Sequence, residues 1–319
     1  MIFLYLDAAP PPVDVTIVEH RSSTDVAPLG PGASGQPSPD TVGDRPTPQQ
    51  KWLSLRDPGG GIVLSYYWPV VQGRNSFYEL TMSSPNVIDI LPSEGHGSPE
   101  VRRYWTDRGK ILLNRVYPFR PQRSEDEMFA YFAEAIRNAD GISIDEVVAH
   151  TLDAERRWTM QRVLVRLRSA FPHKVIVVWD ASRWNKESEH LLLAMRDNAD
   201  AIALETYISE READSAELSR FRRSLDRVES LAPGIREKIL LAIGTTDRMR
   251  KPRDSRLADH LARQVQFIST NPQLCGIAGI AIYAPVYLSL QEQQALDVAV
   301  RTDITATRRL RSCEGSGQR

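Results

Sequence analysis

Eight short apolar runs, separated by amphipathic stretches, constrain this chain more than any other feature. They cover residues 62–67, 87–91, 111–117, 141–145, 174–180, 201–205, 239–244 and 277–283. Such runs read as strands buried on both faces, as in a parallel sheet. The stretches near 75–83, 98–108, 124–138, 152–170, 186–198, 210–231, 254–270 and 289–302 read as helices. Several carry their own starts. Ser124-Glu125-Asp126-Glu127 is a capping box with an acidic first turn, Ser289 has Glu292 three residues on, and Asp254 sits at an N-cap position. Eight strand–helix units in about 240 residues are the arithmetic of an α/β chain closed into a (β/α)8 TIM barrel. An open doubly wound sheet is the rival, and eight complete units favour closure.

What precedes the first run is different in kind. Residues 7–50 hold Pro10 to Pro12, Pro28, Pro31, Pro37, Pro39, Pro46 and Pro48 among many Gly, Ser and Thr. Such composition buries too little apolar surface to offset its ordering entropy. The expected organisation is a Pro/Gly-rich, flexible or loosely docked segment over 1–55, a barrel over 56–305 and a flexible tail over 306–319. Residues 13–18 are the part of the arm that could dock as a strand. Gly30, Gly32 and Gly35 spell G-x-G-x-x-G, but a dinucleotide site needs a strand before that motif and a helix after it. Proline-rich surroundings supply neither, and no cofactor is expected.

Composition excludes several classes. Forty basic and 41 acidic residues leave a formal charge of -1, against a globally basic nucleic-acid binder. The two cysteines, Cys275 and Cys313, exclude a disulfide-dense scaffold and a cysteine-rich metal site. Cys275 reads as a small buried apolar residue and Cys313 as an exposed one. The six histidines show no metal spacing. His150, just past the fourth strand, reads as a hydrogen-bonding rim residue, and His173 as structural at the barrel base. No run approaches the roughly 18–20 apolar residues of a membrane helix. Residues 1–6 are apolar but too few for a signal peptide. A secreted or cell-envelope location is expected if the true start lies upstream, and a cytoplasmic one otherwise. A monomer is expected.

Strand side chains alternate, so the interior face can be read. In 201–205, Ala201, Ala203 and Glu205 share one face and Ile202 and Leu204 the other. The bulky face should meet the helices, which leaves Glu205 inward. The same logic turns Ser143 and Asp145 inward, with Gly279, Ala281 and Tyr283 from the eighth strand and Ser65 and Tyr67 from the first. Asp145 and Glu205 then both end a strand at the C-terminal face, where barrel enzymes keep their chemistry. Their strands are both even-numbered, so the two side chains can share a layer. The plainer alternative is a rim charge network in which Arg115 or Arg183 holds them. Glu146 has the opposite parity and enters only if the strand stops at Asp145. Asp180 ends the fifth strand with ambiguous parity, because both faces there are apolar.

Of the six Trp and ten Tyr residues, nine lie at or just past a strand's C-terminal end: Tyr66, Tyr67, Trp68, Tyr117, Trp179, Trp184, Tyr207, Tyr283 and Tyr287. Aromatic faces stack on the apolar faces of sugars while polar tips bond hydroxyls. The expected substrate contacts are Tyr67, Trp68, Asn114, Tyr117, Trp179, Trp184, Tyr207 and Tyr283, with Arg115 and Arg248 as cationic contacts. Arg120 and Arg123 follow the third strand. The loop after the seventh strand carries Arg248, Arg250, Lys251, Arg253 and Arg256. It reads either as a solvated loop or as an anion subsite. The expected partner is a carbohydrate, with an acidic glycan as the variant these cations would suit.

Glycoside hydrolysis needs two carboxyl groups across the scissile bond. Asp145 is assigned as nucleophile and Glu205 as acid/base, since an acid enclosed by Trp179 and Tyr207 would have its pKa raised by desolvation. A retaining reaction is the expectation. The G-x-x-x-Asp ending of strand four, Gly141 to Asp145, with a carboxylate ending strand six, resembles the α-galactosidase-like barrel glycosidases and the endo-α-1,4-polygalactosaminidase group. That resemblance implies a strand-four Asp nucleophile and a strand-six acid/base, which fall on Asp145 and Glu205. Asp140-Gly141-Ile142-Ser143-Ile144-Asp145 also resembles the start of the family 18 chitinase motif D-G-x-D-x-D-x-E. Ser143 replaces its middle Asp, and Val147 stands where its acid Glu belongs. This second resemblance implies a non-catalytic, chitinase-like lectin. A third class, a barrel enzyme for a phosphorylated substrate, rests on the basic loop. It lacks a Schiff-base lysine, since Lys174 and Lys238 begin their strands at the wrong end.

Overall fold

The computed structural model describes residues 46–56, 61–66, 82–91, 99–119, 122–212, 215–251 and 253–305. Eight parallel strands form a closed barrel: β1 (Ile62–Tyr66), β2 (Val87–Ile90), β3 (Ile111–Val116), β4 (Gly141–Val147), β5 (Val175–Asp180), β6 (Ala201–Glu205), β7 (Ile239–Gly244) and β8 (Gly279–Tyr283). Each pairs with its sequence neighbour, and β8 returns to β1. The helices are α1 (Pro48–Arg56), α2 (Pro99–Thr106), α3 (Glu125–Arg137), α4 (Ala154–Ala170), α5 (Glu189–Asn198), α6 (Ser215–Leu231), α7 (Leu257–Thr270) and α8 (Leu290–Val300). The fold is a (β/α)8 TIM barrel, and every expected strand is present. Of the expected helix at 75–83, residues 75–81 lie outside the described residues and 82–83 are not helical. Residues 13–18, Gly30, Gly32, Gly35, Tyr67, Trp68, Arg120, Cys313 and the tail 306–319 also lie outside the described residues.

Local chemistry starts the helices. Ser124 and Glu127 form a reciprocal capping box on α3, and Ser289 and Glu292 form one on α8. Asp254 is no cap. It sits in a left-handed turn, and Arg256 precedes the first residue of α7. On the outside of the barrel Ile88, Leu112, Ile144, Val178, Leu204 and Leu241 pack with Phe132, Leu164, Leu192 and Phe221 of the helices. Inside, Leu64, Leu113, Val177 and Leu240 pack with Ala203, Ala242 and Ala281, whose small side chains leave room beside them. The parity expected for β4, β6 and β8 holds. In β1 it is reversed: Ile62, Leu64 and Tyr66 face in, so Ser65 faces out. Large aliphatic residues occupy both faces of β1, so size gives no contrast to read there.

Residues 48–55, assigned by composition to the arm, belong to α1 in the barrel unit. Trp52 is fully buried and packs with the inner cluster of Ile62, Val87, Ile111 and Val175. Thr47 and Gln50 cap one another's backbone amides. The Gln49 amide donates to the His173 carbonyl at 3.2 Å, its side chain to Asp200 at 2.9 Å, and Arg56 to the Glu237 carbonyl at 2.9 Å. The helix thus bonds to the segments that lead into β5, β6 and β7. One large indole outweighs the surrounding proline content, which a composition average hides. Replacing Trp52 with Ala is expected to cost about 3–5 kcal/mol in urea unfolding. A loss under about 0.5 kcal/mol, the range of an ordinary surface change, would mean the helix does not seal the base.

Cys275 is half-buried and disulfide-bonded, not a free buried thiol. Among the described residues no helix is long and apolar enough to cross a membrane.

Candidate active site

The site is built at the C-terminal ends of the strands. In β4 the pairing register with β5 shifts between Ile144 and Val147. Both of those side chains face the helices, so Glu146 is an extra residue and its φ is 58°. This bulge leaves Asp145 on the interior face, only 5% exposed. Tyr66 Oη donates to Asp145 Oδ2 at 2.5 Å, and the Glu146 amide donates to Oδ1 at 2.8 Å.

Beneath Asp145 lies a polar layer that sequence reasoning missed. Asp89 of β2 accepts from Arg115 Nε at 2.9 Å, Ser143 Oγ at 2.6 Å and Trp179 Nε1 at 3.0 Å. Asp89, Arg115, Ser143 and Trp179 are all fully buried. Burial pushes the Asp89 carboxyl up to about 6, opposed by Arg115 and then by Ser143 and Trp179. The Arg115 guanidinium lies 3.3 Å from the centroid of the Tyr66 ring. The available signal was the lone acid inside the apolar run Val87-Ile88-Asp89-Ile90.

Glu205 ends β6 opposite Ala242 of β7 and keeps partial exposure at the barrel mouth. Its carboxyl is pushed up to about 8, first by desolvation and then by the charge of Asp145. Tyr207 stands beside it and interacts with it electrostatically. Gly244 makes room for that ring, since a Cβ there would come within 3.1 Å of it. Tyr283 packs against Tyr207 at 5.3 Å, Tyr66 at 4.6 Å and Trp179 at 6.2 Å between ring centroids. Four rings therefore meet around the two carboxyl groups. Trp179 is their floor rather than a wall. Tyr117, just past β3, is half-buried and within electrostatic reach of Asp145.

Several expected contacts lie elsewhere. Asn114 faces the helices, because its neighbours Leu113 and Arg115 take the interior. It accepts from Arg102 at 2.6 Å and donates to the Ala135 carbonyl at 2.8 Å. Asp180 and Trp184 also point away from the barrel interior. Trp184 Nε1 donates to Asp180 Oδ2 at 2.6 Å, and the Ser182 amide donates to Oδ1 at 2.9 Å. Burial raises the Asp180 carboxyl to about 6. The pair ties the loop after β5 to its strand. Val147 is fully buried on the outer face. His150 accepts from the Arg183 amide at 2.9 Å on the rim.

The basic loop is stapled rather than open. Arg250 makes a two-pronged pair with Glu292 at 2.6 and 2.8 Å. Glu210 accepts from the Lys251 amide at 2.7 Å, the Arg256 amide at 2.5 Å and Ser255 Oγ at 2.6 Å. Arg248 is exposed in the turn between them. Hydrogen bonds from Arg250, ahead of the other causes, pull the Glu292 carboxyl down to about 2. A depressed carboxyl stabilises the fold above its unfolded value and loses that contribution as pH falls through the folded one. The Tm gap between wild type and Glu292→Gln should therefore be full above about pH 4.5 and close as pH falls toward 2. A constant gap would contradict the pairing. Among the described residues no cluster of three or more His, Cys, Asp or Glu could hold a metal ion.

No known protein family and no curated protein matches this chain. Solved structures share its fold. An endo-β-N-acetylglucosaminidase from Cordyceps militaris is 11% identical, with a TM-score of 0.56 over 78% of this chain and 94% of that one. A GH18 chitinase from Pseudoalteromonas aurantia is 13% identical, with a TM-score of 0.53 over 75% and 99%. The spore cortex-lytic enzyme SleL of Bacillus cereus is 12% identical, with a TM-score of 0.53 over 75% and 74%. The chain is thus similar to glycoside hydrolases in fold, and identity this low extends the likeness no further.

Proposed function

We propose that this chain is a retaining glycoside hydrolase in which Asp145 is the nucleophile and Glu205 the acid/base. The observation that carries the reading is the contrast between two interior carboxyl groups at the ends of β4 and β6, either side of β5. Asp145 takes donors on both oxygens. Glu205, pushed up to about 8, keeps its proton at neutral pH. Two carboxyls driven apart in this way mark the base or nucleophile and the acid.

In this scheme Glu205 gives its proton to the glycosidic oxygen as the bond to the anomeric carbon breaks. Asp145 forms an ester to that carbon. Glu205, now ionised, takes a proton from water, the water oxygen bonds to the anomeric carbon, and the ester bond to Asp145 breaks. Tyr207 and Tyr283 offer faces for the sugar. No cofactor enters the scheme. The substrate class is a polysaccharide or glycoconjugate. Neighbours named as chitinases and as an N-acetylglucosaminidase make N-acetylhexosamine glycans the first to screen.

A second reading is a non-catalytic carbohydrate-binding barrel, favoured by Val147 at the acid position of the chitinase-like motif and its outward burial. A glycan panel separates the two. Release of new reducing ends by the wild type, abolished in Glu205→Gln, supports hydrolysis. Glycan binding without turnover, left intact by that substitution, supports the binding module.

A further inference from the structure

We infer that Tyr66 is a positioning residue for Asp145, acting together with the backbone amide of Glu146 to fix both carboxylate oxygens. The inference rests on the reading of Asp145 as nucleophile. A carboxylate turns about its own Cβ–Cγ bond unless both oxygens are held. Here one donor comes from β1 and the other from the bulge of β4, at 2.5 and 2.8 Å.

Tyr66 is itself fixed on three sides. Its ring meets the Trp179 edge at 5.0 Å and 88°, Tyr283 at 4.6 Å, and the Arg115 guanidinium on its face. Asp89 holds that guanidinium in place. A cation over a phenol ring favours electron withdrawal from the oxygen, which makes it a better donor. Tyr66 is 2% exposed, so it reaches the reaction through Asp145 rather than by touching sugar. The second donor has its own cost. A non-glycine residue at φ 58° is strained, and such strain collects where geometry serves a site. The bulge brings the Glu146 amide back onto its own neighbour's side chain instead of into the ladder.

Tyr66→Phe tests this, because it keeps the ring and deletes only the donor. The expected result is a kcat lower by about 10- to 100-fold, the scale of a hydrogen bond to a charged group, with KM within about twofold. The acid limb of the kcat profile should rise by about one pH unit, because the lost bond favoured the charged form. The titratable groups around Asp145 are Asp89 from β2, Arg115 and Tyr117 from β3 and beyond it, Glu205 and Tyr207 from β6 and its loop, and Tyr283 from β8. Glu146 adjoins on β4. All of these remain in the variant. Carbon-13 titration of the Asp145 carboxyl reads the same shift without substrate. Should Tyr66→Phe fold poorly, difluorotyrosine at position 66 keeps the shape with a more acidic hydroxyl, and its limb should move down instead. Inactive Asp145→Asn beside a Tyr66→Phe variant with unchanged kcat and unchanged Asp145 titration would overturn this inference alone. Full activity in Asp145→Asn would overturn the functional reading beneath it.

Discussion

Asp145→Asn is expected to lower kcat on any glycan the protein cleaves by about 100-fold or more, the scale of losing a nucleophile. The substitution keeps the shape of the side chain and removes its charge. It also turns one oxygen into an amide nitrogen. Tyr66 Oη and the Glu146 amide donate to different oxygens, so one of them would lose its acceptor. A second consequence follows at Glu205. Part of its elevation to about 8 comes from the Asp145 charge, while the larger part comes from burial. The alkaline limb of any residual activity should therefore move down without returning to the ordinary glutamate range. A variant with full turnover would shift the nucleophile to Glu146, the adjacent carboxylate.

The largest stability effect should come from Asp89→Ala. Arg115 is fully buried, and the Asp89 charge holds its guanidinium well above its usual range against the desolvation that works the other way. Removing Asp89 leaves a buried cation without its carboxylate and deprives Ser143 and Trp179 of an acceptor. Breaking one side of a buried pair costs about 3–5 kcal/mol. Urea unfolding measures this, and the double variant Asp89→Ala with Arg115→Met should recover part of the loss by removing both charges. A cost under about 1 kcal/mol, the range of an exposed pair, would mean that solvent reaches the layer. The raised carboxyl adds a pH signature. Native Asp89 holds its proton above the unfolded value, so its contribution declines as pH rises from about 4 toward 6. Asp180 slopes the same way, so the difference between wild type and Asp89→Asn isolates the Asp89 part.

Barrel strands are legible because both faces are buried, and eight apolar runs stand out against polar helix faces. The interior face is legible where small and large residues alternate, as in Ala201-Ile202-Ala203-Leu204-Glu205. It is illegible in β1 and β3, where large side chains occupy both faces. Size contrast therefore places neither Tyr66 nor Asn114 on a face. The β4 bulge leaves no trace either, since Glu146 takes a left-handed conformation that sequence patterns attach to glycine. Without the bulge, Glu146 and Val147 cannot be assigned to a face. Strand-end position alone places Trp184 at the cleft, whereas the outward turn of Asp180 draws its indole away. Asp89 had a readable signal, an acid within an apolar run, and its partner Arg115 was read as a substrate cation instead.

The proton on Glu205 is the point on which the chemistry turns. Carbon-13 titration of the glutamate carboxyls, with Glu205→Gln used to assign the signal, measures it directly in the intact protein. The expected midpoint is about 8, moving down in Asp145→Asn. A midpoint in the ordinary glutamate range near 4.5, unmoved by that substitution, would contradict a protonated acid beside a charged nucleophile and leave the barrel to bind sugar without cutting it.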